Sequence, residues 1–374
     1  MTPERIKSRA AITDGNGNFS IDEIEVAEPE ADEVLVKIKA AGICHTDYDS
    51  LNWNKRMVLG HEGAGIIYKA GTRVKNFSEG DSVILNWAIP CGHCFQCQEG
   101  NQHICENNSP VTGINNGASG HAHFGGTTYK SENINRSFNL GTFSEYTLVK
   151  EGALVKNYSK KMSFPAASII GCGVMTGYGS VVNAAKVKPG STVVIIGCGG
   201  VGLNVMQAAR LSKAKEIIAI DIKESRFEMA KKMGATYTIL ADKSDIGLLE
   251  AAKKVKEYLN GKGADYAFEC TAIPALGATP LTMIRNAGTA VQVSGIEEEI
   301  NIDMNLFEWD KIYINPLYGK CKPAVDFPAI IDYYDNKKLL LEELVTKTYP
   351  LSELDKAFDD LIKGRNAKGV IEFN

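Results

Sequence analysis

The stretch Thr192-Val-Val-Ile-Ile-Gly197-Cys-Gly199-Gly-Val-Gly202 runs from a continuous apolar segment straight into G-x-G-x-x-G. An unbroken apolar run of this length suits a strand buried on both faces of a parallel sheet. Gly197 allows a tight turn, Gly199 lets the backbone come close to a pyrophosphate, and Gly202 lets the following helix pack against the strand. That helix is expected over Val201–Ser212, with Val201, Val205, Ala208 and Ala209 on one face. The strand pattern returns at Glu216–Ile220, Tyr237–Leu240, Tyr266–Glu269 and Ala290–Val293, with a charged amphipathic helix over Glu224–Met233. This alternation predicts a doubly wound, mostly parallel α/β domain over residues 174–316. Asp221 closes the second strand about 20 residues beyond the glycines, where a carboxylate can accept both hydroxyls of a ribose. A carboxylate there repels a 2′-phosphate, so NAD is favoured over NADP. Lys223 and Arg226 stand beside it and are expected against the adenosine ribose or in solvent.

Outward from this domain the texture changes. With 374 residues the chain is too long for one ordinary core, and 44% hydrophobic with 23% charged residues is a globular composition. A net charge of −4 argues against a general nucleic-acid binder. The sequence begins without an apolar stretch and contains no run of roughly 18 apolar residues, so neither a signal peptide nor a membrane span is expected. Residues 1–173 read as short strands, such as Val34–Ala40, Ala64–Tyr68 and Ser82–Leu85, separated by Gly-rich turns, which suggests a partly open β-barrel. Residues 106–141, polar and rich in Asn and Gly, read as one long loop. Past residue 316 the pattern is helix over Pro323–Asp335 and Leu351–Ile362, then a short strand at Gly369–Phe373.

The nine cysteines are an odd number, and four fall in the ladder Cys91-x2-Cys94-x2-Cys97-x7-Cys105. Four soft thiolates in one short segment describe a closed tetrahedral site, suited to structural zinc or an iron–sulfur cluster. Metal-bound thiolates fit a reducing cytoplasm better than a secreted disulfide framework. Cys44-His45-Thr46-Asp47, Gly60-His61-Glu62-Gly63 and Gly171-Cys172-Gly173 can supply two thiols and one imidazole from three separate segments. Such a trio would make an open zinc site with a free fourth position. By spacing alone the trio is a guess, since a lone His beside glycines is more often structural and a lone Cys more often a small buried hydrophobe. Packing is also the expectation for Cys198, Cys270 and Cys321. His93 and His103 are expected to face solvent, and His121 and His123 to lie in the polar loop.

Taken together, GICHTD (42–47), GHEGAG (60–65), the Cys91–Cys105 ladder, GCGVMTGYG (171–179) and GCGGVG (197–202) resemble the zinc-dependent medium-chain alcohol dehydrogenases. GTFSEYTLV (141–149) adds to the likeness, which runs in order over nearly the whole chain and is nearest to the dimeric class I and class III forms. The resemblance implies a GroES-like partly open barrel catalytic domain (1–173 and 317–374) joined to a Rossmann NAD-binding domain (174–316). It further implies two zinc ions per subunit, a small alcohol or aldehyde substrate and a cytoplasmic homodimer, with no membrane or nucleic-acid partner. By position, Cys44, His61 and Cys172 would hold the catalytic zinc, and Cys91, Cys94, Cys97 and Cys105 the structural one. Glu62 matches a carboxylate close behind the catalytic metal, and Thr46 the hydroxyl that contacts the alcohol. His45 and Lys368 match basic residues beside the cofactor pyrophosphate, Lys368 standing where Arg is often found. Thr176, Gly197, Gly199, Gly200, Val201, Gly202, Asp221 and Arg226 complete the cofactor set. Hydride would pass from the alcohol carbon to nicotinamide C4, with Thr46 relaying the proton toward the nicotinamide ribose. The terminal proton acceptor is commonly His in class I relatives, but Asp49 occupies that position here. An exposed carboxylate with a pKa near ~3.9 is a poorly matched base at neutral pH, so release to water competes with it.

The pattern also departs from its relatives. The segment between Asp47 and Gly60 looks shorter than in class III enzymes, and Ser109 stands near the place of an Arg that pairs with glutathione. Both disfavour a glutathione adduct as substrate. Trp87 falls where a bulky aromatic narrows the substrate channel, and Trp53 and Met57 read equally as further lining or as ordinary packing. Ala290–Val293 and Lys311–Tyr318 would lie toward a dimer interface. The competing readings are glutathione-dependent formaldehyde oxidation, a non-catalytic zinc and dinucleotide protein, and an iron–sulfur protein.

Overall fold

Thr192–Ile196 lies at the centre of a six-stranded parallel sheet. Its neighbours in order are Tyr237–Leu240, Glu216–Asp221, the central strand, Ala264–Glu269, Ile284–Gln292 and Ile312–Ile314. Ile195 pairs with Ala219 on one side and Phe268 on the other, and Val193 to Ile196 are buried, as an apolar run flanked by strands on both sides requires. In chain order the strands run third, second, first, fourth, fifth, sixth. The winding therefore reverses between the first and fourth strands, and Gly197 sits at the carboxyl end of that reversal, where such sheets bind ligands.

The computed structural model describes residues 5–111 and 125–374. The chain divides into two compact units, one of Met1–Cys172 with Lys322–Asn374 and the other of Gly173–Cys321. The second boundary falls later than the position 316/317 expected from the change in texture. The reason is a close backbone contact: a Cβ on Gly179 would lie 2.2 Å from the carbonyl oxygen of Gly319, so the turn Leu317–Lys320 is packed into the nucleotide unit. The helix Gly200–Leu211 is buried on more than the expected face, with Leu203, Asn204, Met206 and Gln207 also inside. Gly177 explains part of this, because a Cβ there would lie 2.7 Å from the Cβ of Asn204. Other bounds shift modestly: the expected helix 224–233 begins as a 3-10 turn at Glu224–Arg226, and the strand expected at 290–293 spans Ile284–Gln292.

The other unit is built on two antiparallel-rich sheets. The seven-stranded one runs Leu154–Lys156, Ser82–Leu85, Gly63–Ala70, Glu33–Gly42, Lys368–Glu372 and Val345–Pro350, and Tyr146–Lys150 also pairs with Glu33–Gly42. Register breaks at Leu35/Val36 and Ile38/Ala40 bend the long strand Glu33–Gly42, which curls the sheet into a partly open barrel. The second sheet holds Arg5–Thr13 and Phe19–Ala27, with Met57–Val58, Thr127–Tyr129, Glu132–Asn133 and Asn135–Arg136. These last three strands correct the single long loop expected over 106–141; Thr127 and Arg136 are buried despite the polar composition. His121 and His123 lie outside the described residues. No single helix among the described residues is long and apolar enough to cross a membrane.

Candidate active site

The bent strand Glu33–Gly42 leads directly to the first donor. Cys44 caps the short helix His45–Asp49, and its backbone N–H donates to Asp47 Oδ2 at 3.0 Å. The other oxygen of Asp47 meets His61 Nδ1 at 2.8 Å, and Asp47 is fully buried. One carboxylate thus fixes both Cys44 and the His61 ring, leaving the far ring nitrogen to face a metal. His61 follows Gly60, which has φ +93° and no room for a side chain: a Cβ would lie 2.4 Å from the N of Phe143. Cys172 follows the turn Ile169–Gly171, where a Cβ on Gly171 would lie 2.5 Å from the carbonyl oxygen of Leu85. Donor atoms of Cys44, His61, Glu62 and Cys172 all lie within 4.8 Å of one another.

The electrostatics suit a cation. Hydrogen bonding from Cys172 holds the Cys44 thiol well below its ordinary range against burial, and the same contact, with burial, drives Cys172 well above it. Burial opposes charge on His61, yet Asp47 and then Cys44 keep its protonated form favoured well above the usual histidine value. Burial pushes Glu62 up to about 7, with Lys368 pulling the other way. Lys368 Nζ, itself buried, donates to Glu62 Oε1 at 2.6 Å and to the carbonyl of Ile43 at 2.9 Å. Lys368, expected beside the cofactor pyrophosphate, directs its ammonium at Glu62. Glu62 Oε2 is buried without a hydrogen-bond partner, an acceptor that a neighbouring cation would satisfy. Two thiols, an imidazole and this carboxylate are a donor set that zinc prefers.

Gly42 is needed behind this cluster. A Cβ there would lie 2.1 Å from Glu62 Oε2, so Gly42→Ala must displace the carboxylate from Lys368. We expect a loss of about 1–3 kcal/mol, the usual cost of overpacking, measured by chemical denaturation. Unchanged stability would mean that Glu62 has room to move.

On the open side, Thr46 is half-buried with its hydroxyl 3.8 Å from the Cys44 sulfur, while His45 and Asp49 are exposed on the same helix. Sequence reasoning missed Phe138. Its backbone is left-handed, with φ 51°, and its ring centroid lies 4.7 Å from that of His61, 5.3 Å from Trp87 and 6.2 Å from Trp53. Met57, read as either cleft lining or ordinary packing, is buried in the second sheet, opposite Thr13.

In the four-cysteine lobe the sulfurs collect backbone N–H groups. Cys94 N donates to Cys91 Sγ at 3.3 Å, Cys97 N to Cys94 Sγ at 3.4 Å, and both Cys91 N and Asn108 N to Cys105 Sγ at 3.4 Å. The Asn107 amide adds a bond to Cys91 Sγ at 3.2 Å. Against burial, the N–H groups of His93 and Cys94 bring Cys91 down to about 6, whereas burial pushes Cys97 up to about 12. N–H donors aimed at sulfur favour thiolate, the form that binds metal. His93 is exposed as expected, but His103 is buried, because the turn Gln102–Ile104 folds it inward. Ser109 is buried as well.

The nucleotide turn belongs to the other unit. Gly197 has φ +96°, a Cβ on Gly202 would lie 1.9 Å from the carbonyl oxygen of Gly197, and the space beside Gly199 is open. Gly200 and Val201 begin the helix, whose N-terminus favours an anion. Asp221 Oδ2 accepts from Cys198 N at 2.8 Å and from Arg226 Nη1 at 3.0 Å, which ties the ribose-side carboxylate to the glycine turn and pairs off Arg226. Thr176 lies half-buried in the helix Gly173–Gly179. Cys198 and Cys321 are buried in packing, and Cys270 is half-buried at the end of the fourth strand.

Residues 30–161 match the alcohol dehydrogenase GroES-like domain, and residues 200–317 match the zinc-binding dehydrogenase family. The chain is 33% identical over 377 residues to an S-(hydroxymethyl)glutathione dehydrogenase of Synechocystis, covering 98% of this chain and 100% of the relative. It is 33% identical to the alcohol dehydrogenase class-3 of Drosophila melanogaster, covering 94% of each. In three dimensions it resembles the benzyl alcohol dehydrogenase of Acinetobacter calcoaceticus, with a TM-score of 0.86 at 30% identity, covering 99% of this chain and 100% of the other. The chain belongs to the zinc-dependent medium-chain alcohol dehydrogenase family. It is an oxidoreductase acting on CH–OH groups, with zinc and NAD as cofactors.

Proposed function

We propose that this chain moves hydride between a primary or secondary alcohol, or the corresponding aldehyde or ketone, and NAD, working as a cytoplasmic homodimer. The observation that carries this reading is the convergence of half-buried Cys44 and Cys172 on buried His61, with buried Glu62 beside them. These three residues hold the catalytic zinc, and Cys91, Cys94, Cys97 and Cys105 hold the structural one. Zinc held in the open set supplies the Lewis acidity that makes an alcohol proton removable near neutral pH, and NAD supplies the hydride acceptor. The chain's own residues do the rest. Asp47 fixes the His61 tautomer and orientation. Thr46 accepts the alcohol proton beside Cys44 and hands it outward, to the exposed Asp49 or to water. The glycine turn holds the pyrophosphate, and Asp221 accepts the ribose hydroxyls in place of a 2′-phosphate. His45 and Thr176 complete the residues assigned to the cofactor. Phe138, Trp87 and Trp53 form an aromatic wall beside His61 that excludes water and limits substrate width. The edge strand Ile312–Ile314, with Ile312 exposed, supports the pairing of two nucleotide units.

A second reading, oxidation of the glutathione adduct of formaldehyde, is favoured by the likeness to the S-(hydroxymethyl)glutathione dehydrogenase of Synechocystis. Against it stand the short segment before Gly60 and the buried Ser109. A panel of primary, secondary and aromatic alcohols, followed by NADH absorbance with and without glutathione, separates the two. We expect glutathione-independent turnover. Formaldehyde oxidation strictly requiring glutathione would replace our reading with the second.

A further inference from the structure

We propose that Asp360 is a positioning residue that sets Lys368, and through it Glu62, behind the catalytic metal; this rests on the assignment of Cys44, His61 and Cys172 made above. Lys368 carries its ammonium on a long, flexible stem, so its aim depends on where the backbone holds its Cα. That backbone is irregular. The strand Lys368–Glu372 pairs with Val345–Pro350, but the register slips between the Val345↔Lys368 and Lys347↔Gly369 pairs, so Lys368 stands at the slip.

Asp360 holds both sides of this slip. Its carboxylate is 4% exposed and accepts from Lys347 Nζ, Tyr349 Oη and Arg365 Nη1, each at 2.6 Å. Lys347 and Tyr349 belong to the pairing strand. Arg365 belongs to the turn that joins the helix Leu354–Ile362 to Lys368, and its N–H also returns to the carbonyl of Asp360 at 2.9 Å. Asn366, in the same turn, donates to Tyr349 Oη at 2.6 Å, and Ala367 N donates to Thr346 Oγ1 at 3.1 Å. The Tyr349 ring lies where a Cβ on Gly369 would meet it at 3.2 Å, so the tyrosine that Asp360 holds fixes the residue next to Lys368. Isolated ion pairs at an exposed edge contribute little, but three donors converging on one buried carboxylate define a geometry. What that geometry delivers is the Lys368 ammonium on Glu62 and Ile43, the residues adjoining His61 and Cys44.

The test is a double-mutant cycle on the zinc-loaded full chain, reading release of each zinc ion to a chromophoric chelator. The phase belonging to the catalytic set is identified by its absence in Cys172→Ala. Asp360→Asn is expected to speed that phase about tenfold, the usual scale for a residue supporting a metal's ligands, and to leave the four-cysteine phase unchanged. Lys368→Met is expected to speed it at least as much, and the double variant to match Lys368→Met alone. Should Asp360→Asn fail to fold, Arg365→Gln takes its place in the same cycle. Additive effects, or equal acceleration of both phases, would overturn the positioning role while leaving the zinc assignment standing. A wild-type chain that holds zinc only in the four-cysteine lobe would overturn the assignment, and this proposal with it.

Discussion

Cys172→Ala is expected to retain one zinc per subunit and to lose turnover by at least about a thousandfold. Lewis-acid stabilisation is worth several kcal/mol, and each 1.36 kcal/mol is a factor of ten, so losing roughly 4 kcal/mol of it gives that figure. Cys172 offers one of the two sulfurs whose donor atoms lie within 4.8 Å of those of His61 and Glu62. The fold should survive. Cys172 is only half-buried, and it is the neighbouring Gly171, not its side chain, that presses against Leu85. Metal content and steady-state kinetics on the same preparation check the expectation. Two zinc ions with normal turnover would remove Cys172 from the ligand set.

The second large effect is expected at Gly202→Ala. The new methyl would sit 1.9 Å from the Gly197 carbonyl oxygen and 3.3 Å from Ile195 Cγ2, both on the strand and turn that the helix must abut. The helix has to retreat, and the turn at Gly197 opens with it. Stability should fall by about 1–3 kcal/mol. NADH affinity should fall about a hundredfold, or roughly 2.7 kcal/mol, in a fluorescence titration. Zinc content should not change, because the metal donors belong to the other unit. Gly199→Ala is the control. Nothing lies within 4 Å of its added carbon, so the protein should keep its stability yet still bind NADH poorly if the pyrophosphate uses that space.

These two sites also differ in how far the sequence exposes them. Thr192–Ile196 and the glycines after it are legible because strand, turn and helix follow one another along the chain. The cysteine ladder is legible for the same reason. The catalytic set is not, because its donors come from residues 44, 61 and 172 and only folding joins them; the family resemblance, and not spacing, picked them out. Phe138 was invisible because nothing in a polar Asn-rich segment signals an aromatic residue in a left-handed turn against His61. Asp47 was legible as a carboxylate near Cys44 but not as the anchor of His61, which depends on a pairing fixed by the sheet. His103 was expected in solvent because four thiolates already complete the site beside it, whereas the local turn decides its burial.

The four-cysteine lobe has a consequence for how the protein is made. Every sulfur and every N–H donor named for it lies between Cys91 and Asn108, so the nascent chain can close that centre before its later strands exist. The other centre must wait for Cys172 and gains its Lys368 support only much later in synthesis. Zinc shortage during translation should therefore yield folded but inactive chains, rescued afterwards by adding metal, in preference to chains that never mature.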